Sequence, residues 1–139
     1  MKKVMKKILR IFIIVLTICT ITLVAFMSFL LFDKNKTLET PLYGINLSDV
    51  SDGTYQGSYT GGRWSNTVSV TIKSHAITNI EVVDSQVFMS QETRDKLISR
   101  LLEKQNTDID TVSGATVDSK AFLSAVENAL ENRHENKTN

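Results

Sequence analysis

The sequence predicts an α+β domain of about three or four antiparallel strands with two helices, set behind one N-terminal membrane-spanning helix. Three observations predict it. An apolar run from Ile11 to Phe32 carries no charge, apolar residues alternate with polar ones between Asp52 and Ser85, and two later stretches repeat apolar residues at helical spacing. With 139 residues, one cysteine, two histidines and a formal net charge of +1, the chain has neither the basic excess of a nucleic-acid binder nor the paired cysteines of a disulfide scaffold.

The first element is the apolar run. As a helix rising ~1.5 Å per residue, Ile11 to Phe32 spans about 33 Å, enough for a bilayer core with slight tilt. Lys2, Lys3, Lys6, Lys7 and Arg10 precede it, whereas the far side opens with the mixed DKNK. The positive-inside bias therefore keeps residues 1–10 in the cytoplasm and places everything after Phe32 outside the cell membrane. A cleaved signal peptide is the competing reading, but the run exceeds the usual h-region and LVAFMSFLLFDK offers no small-x-small cleavage site. Cys19, mid-run after Ile18, reads as an unreactive thiol within the span.

Roughly a hundred residues remain, enough for one compact domain. Residues 33–51, with the only proline at Pro41, show no sustained period and read as an extracytoplasmic linker. The domain is expected over 52–132, followed by a polar tail over 133–139. In DGTYQGSYTGG, turn formers alternate with Tyr55 and Tyr59, predicting a first strand; Val68, Val70 and Ile72 predict a second. SHA is a tight turn into ITNIEVVDS, whose Ile80 and Val82 share a face, so the last two strands form a hairpin. Ser90 caps a helix with Leu97, Ile98, Leu101 and Leu102 on one stripe and Arg94, Lys96, Arg100 and Lys104 toward water. A second helix follows Thr116, with Phe122, Val126 and Ala129 or Leu130 inward.

That last helix starts in DTVSGATVDSKAF, a run of small hydroxylated residues. Ser113 or Thr116 can be an ordinary N-cap. Equally, the first N–H groups of a helix are unsatisfied and carry the positive dipole end, and Gly114 and Ala115 let an anion approach the backbone. The four residues alone favour the cap.

Asp110 completes the pattern D-x-x-S-G-A-T, and with the entry DGTYQGSYTGG, the strands SVTIKSHAITNIEVVDSQ and the segment DIDTVSGATVDSKAFLSAVENAL the chain resembles the FMN-binding domain family. The resemblance covers Asp52 to about Asn132. It is the family of the flavin-carrying subunits of sodium-pumping NADH:quinone oxidoreductases, of Rnf complexes and of small membrane-anchored flavoproteins. The resemblance implies FMN as cofactor, esterified through its phosphate to Thr116, with Asp110, Ser113, Gly114 and Ala115 as recognition residues and phosphate cradle. It also implies a partner, a magnesium-dependent FAD:protein FMN transferase that moves FMN from FAD and releases AMP. A threonine hydroxyl is a weak nucleophile without a base or metal, and no histidine or carboxylate pair adjoins it here, which agrees with a separate transferase. Two departures stand out: Asp118 occupies a position that often carries a hydroxyl in relatives, and DSQVFMSQ lacks their proline and histidine.

Trp64, after Gly61, Gly62 and Arg63, and Phe88 are the candidate aromatic contacts to a flavin ring, whereas Tyr55, Tyr59 and Phe122 fit packing roles. Arg63 alone reads as a solvated charge. His75 in the hairpin turn and His134 in the tail have no metal-ligand spacing, so no metal site and no catalytic residue is expected. The expected role is an electron carrier, or a subunit of an oxidoreductase system, rather than a stand-alone enzyme. It would relay electrons between a membrane donor, a quinol or an NADH dehydrogenase system, and an external or partner acceptor, with the lipid bilayer as anchor and no nucleic-acid partner. The alternative is a binding or sensing module that holds FMN or another ligand non-covalently.

Overall fold

The computed structural model describes residues 1–85 and 89–131, in two compact units that divide between Phe32 and Asp33. The first unit is helix α1 (Lys2–Leu30). Its most apolar stretch reaches a mean hydropathy of 2.6, making it one helix long and apolar enough to cross a membrane. Its threonine hydroxyls need no water: Thr17, Thr20 and Thr22 donate to the carbonyls of Ile14, Thr17 and Cys19 at 2.8, 2.8 and 2.9 Å. The helix also takes in the basic residues that precede the apolar run.

The second unit is built on a three-stranded antiparallel sheet in the order β1-β2-β3, with β1 (Gly53–Tyr59), β2 (Asn66–Lys73) and β3 (Ala76–Ser85). Tyr55 pairs with Val70, which pairs with Ile80, and Gly57 pairs with Val68, which pairs with Val82. The period-two pattern of β1 and β2, with a register shift between Ile77 and Ile80 on β3, puts Tyr55, Tyr59, Val68, Val70, Ile72, Ile77 and Ile80 on one buried face. The opposite face is hydroxylated, with cross-strand contacts between Thr54 and Thr71 at 3.3 Å and between Ser58 and Thr67 at 3.0 Å. At the predicted hairpin, Ser74 and His75 both take positive φ, 52° and 59°, the pairing that matches the twist of adjoining strands. Asp52 Oδ1 accepts the Ser74 N–H at 2.7 Å, and His75 Nδ1 lies 3.1 Å from the Val50 carbonyl, so this histidine braces the turn.

Both predicted helices form. Helix α3 (Gln91–Lys104) begins at Ser90, whose hydroxyl accepts the Thr93 N–H at 3.2 Å, and it buries Leu97 and Leu101. It ends on Gln105, in the left-handed region at φ 54°, whose side-chain amide accepts the Ile77 N–H at 2.6 Å and donates to the Ile77 carbonyl at 3.1 Å. The strand β3 backbone is thereby tied to the end of α3. Helix α4 (Thr116–Glu131) buries Phe122, Leu123, Val126 and Leu130 against β1 and β2. It lies so close that a Cβ on Gly57 would come 2.1 Å from the Ala129 nitrogen and 2.4 Å from the Ala125 oxygen. Only a residue without a side chain fits at that strand position.

The clearest correction concerns residues 33–51, expected as a free linker. They belong to the folded unit. Helix α2 (Lys34–Glu39) buries Thr37, and Val50 joins the core with Leu42, Ile45 and Leu47 packed against it. The backbone polar groups of this segment find partners on the domain, which is why it need not stay in water. Glu127, buried on α4, accepts the Gly44 N–H at 2.8 Å, the Tyr43 N–H at 3.3 Å and the Thr107 hydroxyl at 2.5 Å. Lys120 donates to the carbonyls of Leu38 and Thr40 at 2.7 and 3.1 Å, and the Tyr59 hydroxyl reaches Thr37 at 3.1 Å. The segment lacks periodicity because it is held by scattered side chains rather than by one apolar stripe. The expected tail over 133–139 lies outside the described residues.

Candidate functional site

The SGAT segment folds as a tight turn leading into α4. The Val112 carbonyl accepts the Ala115 N–H at 2.9 Å, and Gly114, third in this four-residue turn, takes φ +80°. That conformation is the reason for glycine there, since it disfavours any side chain. Ser119, fully buried one turn into the helix, fixes both ends of the turn: its hydroxyl donates to the Ala115 carbonyl at 2.7 Å and accepts the Val112 N–H at 3.2 Å. The Ala115 carbonyl also accepts the Ser119 N–H at 2.8 Å, the first helical bond.

Alanine therefore stands where a capping side chain would. Among the described residues, neither the Ser113 nor the Thr116 hydroxyl has a hydrogen-bond partner, and the N–H groups of Thr116, Val117 and Asp118 have no acceptor. Both hydroxyls are exposed, and nothing lies within 4 Å of where a Gly114 Cβ would stand. Three open donors at the positive end of a helix, beside a bare glycine, fit a phosphate. Of the two sequence-level readings, the cap is the one this geometry does not contain.

The first turn of α4 also carries Asp118, half-buried, against the short 3₁₀ turn Gly62–Trp64. Burial pushes its carboxyl above the ordinary range, opposed by the charge of Arg63 and by hydrogen bonding with the Trp64 side chain. Trp64 is only 5% exposed, and the Arg63 guanidinium sits over its ring, 5.0 Å from the centroid. Trp64 is thus a core residue, and Arg63, though exposed, is stacked on its ring. Phe88, with Gln86 and Val87, lies outside the described residues.

Asp110 is exposed, and among the described residues its carboxylate accepts no hydrogen bond. Its carbonyl accepts from Arg100 Nη1 at 2.7 Å, beside an open groove of about 390 Å³ lined by Arg100, Glu103, Lys104, Asp108, Ile109 and Asp110. The structure thus brings Ser113, Gly114, Ala115 and Thr116 together in one turn and leaves the Asp110 side chain unattached to it. Sequence reasoning missed Ser119, which shapes the turn, and Arg100, which steadies the approach to it. Neither had a signal beyond its residue type, because a serine one turn into a helix and an arginine on a wet face are both commonplace.

The family model described as FMN-binding domain matches residues 62–131. The match begins at the turn that carries Arg63 and Trp64, and takes in the SGAT turn and the whole of α4. No curated protein matches the chain. The chain belongs to the FMN-binding domain family, and FMN is the cofactor of its domain.

Proposed function

We propose that this chain is a membrane-anchored flavoprotein that carries FMN as a phosphate ester on Thr116 and relays electrons between a membrane donor and an acceptor outside the cell membrane. The observation that carries the reading is the Thr116 hydroxyl, exposed and without a partner among the described residues, at the head of three N–H groups that have no acceptor. FMN, when bound, supplies one- and two-electron transfer. The open N–H groups of Thr116, Val117 and Asp118 orient the phosphate, and the φ +80° of Gly114 clears its approach. In attachment, the Thr116 hydroxyl would be the nucleophile toward the FMN phosphoryl group of FAD, with AMP as the leaving group carrying the bridging oxygen and the hydroxyl proton passing to a base on the transferase. No carboxylate or imidazole among the described residues hydrogen-bonds the Thr116 hydroxyl, so base and metal come from that partner. Helix α1 provides the anchor, and the basic residues at its N-terminal end, before the apolar run, set the N-terminus in the cytoplasm.

The same three N–H groups would also hold the phosphate of FMN without an ester, and that is the second reading. Denaturing gel electrophoresis after coexpression with an FAD:protein FMN transferase separates the two. The expected result is flavin fluorescence that migrates with the chain and is lost in Thr116→Ala. Covalent flavin retained in the variant overturns Thr116 as the site, and flavin released by denaturing the wild type favours the non-covalent reading.

A further inference from the structure

The attachment turn has an acidic residue where a phosphate has to settle. Asp118 lies within the first turn of α4, two residues beyond Thr116, so an ester at Thr116 places a second negative charge close to a half-buried carboxylate. Like charges at such range in a partly desolvated site repel, against the attraction that the helix dipole offers an anion. Something has to offset it. On α4 itself the nearest cation, Lys120, is directed to the carbonyls of Leu38 and Thr40 at 2.7 and 3.1 Å. From the turn packed against α4, Arg63 acts on Asp118 through its charge, without an ion pair among the described residues, and Trp64 through its side chain. Arg63 is exposed, yet it is held over the Trp64 ring at 5.0 Å, and Trp64 is anchored in the core. The stack fixes a guanidinium that would otherwise sample solvent.

We propose that Arg63 is a positioning residue for flavin attachment: stacked on Trp64 beside the first turn of α4, its guanidinium offsets the Asp118 carboxylate so that a phosphate ester forms and persists on Thr116. The proposal rests on the Thr116 reading. It makes Arg63 and Asp118 a compensating pair: Asp118 without Arg63 repels the phosphate, and removal of both charges restores a neutral approach. The relation is one of charge, so lysine at position 63 retains part of the effect and glutamine does not.

The test measures covalent incorporation into the full-length chain in detergent, with transferase, FAD and magnesium, by in-gel flavin fluorescence over a range of pH. Arg63→Gln is expected to slow incorporation about tenfold relative to wild type at pH above the Asp118 titration. The deficit should narrow as pH falls and Asp118 takes up a proton. Arg63→Lys should lie between the two, and Arg63→Gln with Asp118→Asn should return to within about threefold of Asp118→Asn alone, as expected for a coupled pair. A second readout uses the flavin-free chain: carboxyl NMR of Asp118 should titrate at higher pH in Arg63→Gln than in wild type. Wild-type incorporation by Arg63→Gln at every pH, or no rescue by Asp118→Asn, overturns the proposal. Wild-type chain that takes up no covalent flavin overturns the Thr116 reading and the attachment role with it, and the NMR titration then still tells whether the charge pair exists. Arg63→Lys and circular dichroism separate loss of charge from loss of the Trp64 stack.

Discussion

Asp118 and Glu127 are two carboxylates on one helix with opposite surroundings. Asp118 is held above the ordinary carboxylate range chiefly by burial, with Arg63 and Trp64 opposing. A carboxyl whose folded pKa is raised makes the folded state less stable once it ionises. Asp118→Asn and wild type should therefore have equal stability, apart from a constant offset, below the unfolded carboxylate range. As pH rises through the raised pKa, wild type should lose stability relative to the variant. Unfolding followed by Trp64, the chain's single tryptophan, at acid and neutral pH measures this, and a pH-independent difference would falsify it. Glu127 is buried too, but it is surrounded by three donors, from Thr107, Gly44 and Tyr43. Glu127→Gln turns one acceptor oxygen into a donor facing these N–H and O–H groups and should cost about 1–3 kcal/mol in the same unfolding experiment. An unchanged midpoint would mean that the network rearranges without loss.

Among the elements, α4 serves most purposes: it continues from the SGAT turn, fills the core and holds the segment before β1. Its closeness to β1 depends on Gly57, where a Cβ would meet the backbone of Ala129 and Ala125. Gly57→Ala should push helix and sheet apart and cost at least about 1–3 kcal/mol, visible as an earlier unfolding midpoint and faster amide exchange in α4 and β1. A variant as stable as wild type would show that the helix slides aside freely. The strands and helices α3 and α4 were legible in the sequence because each has one buried face and one wet face, and that asymmetry writes a period of two or of 3.6 into the chain. Trp64 and residues 33–51 were not legible. A tryptophan in a glycine-rich turn and an aperiodic segment look the same in sequence whether they end in solvent or on a core.

The unit of folding starts at Asp33 rather than at Asp52. A chain lacking residues before Asp52 exposes the surface that Thr37 and Val50 cover and leaves the buried Glu127 and the half-buried Lys120 with fewer partners. It should be less stable than a chain starting at Asp33 by at least about 3 kcal/mol, since cavity and lost hydrogen bonds add. Equal denaturation midpoints, read from Trp64 fluorescence, would return the segment to the status of a linker.

By itself, the sequence determined the apolar span, the order of the strands and of helices α3 and α4, the hairpin and the SGAT motif. Each of these is a local pattern: an unbroken apolar run, a periodicity, or a glycine at a position that demands positive φ. Only the tertiary structure decided that the helix start lacks a side-chain cap, that Ser119 shapes the turn, that the turn carrying Arg63 and Trp64 packs against α4, and that the segment after Phe32 is part of the domain. These depend on which distant residues arrive beside one another. Burial, and the hydrogen bonds that make it tolerable, are properties of the assembled neighbours rather than of any stretch of chain.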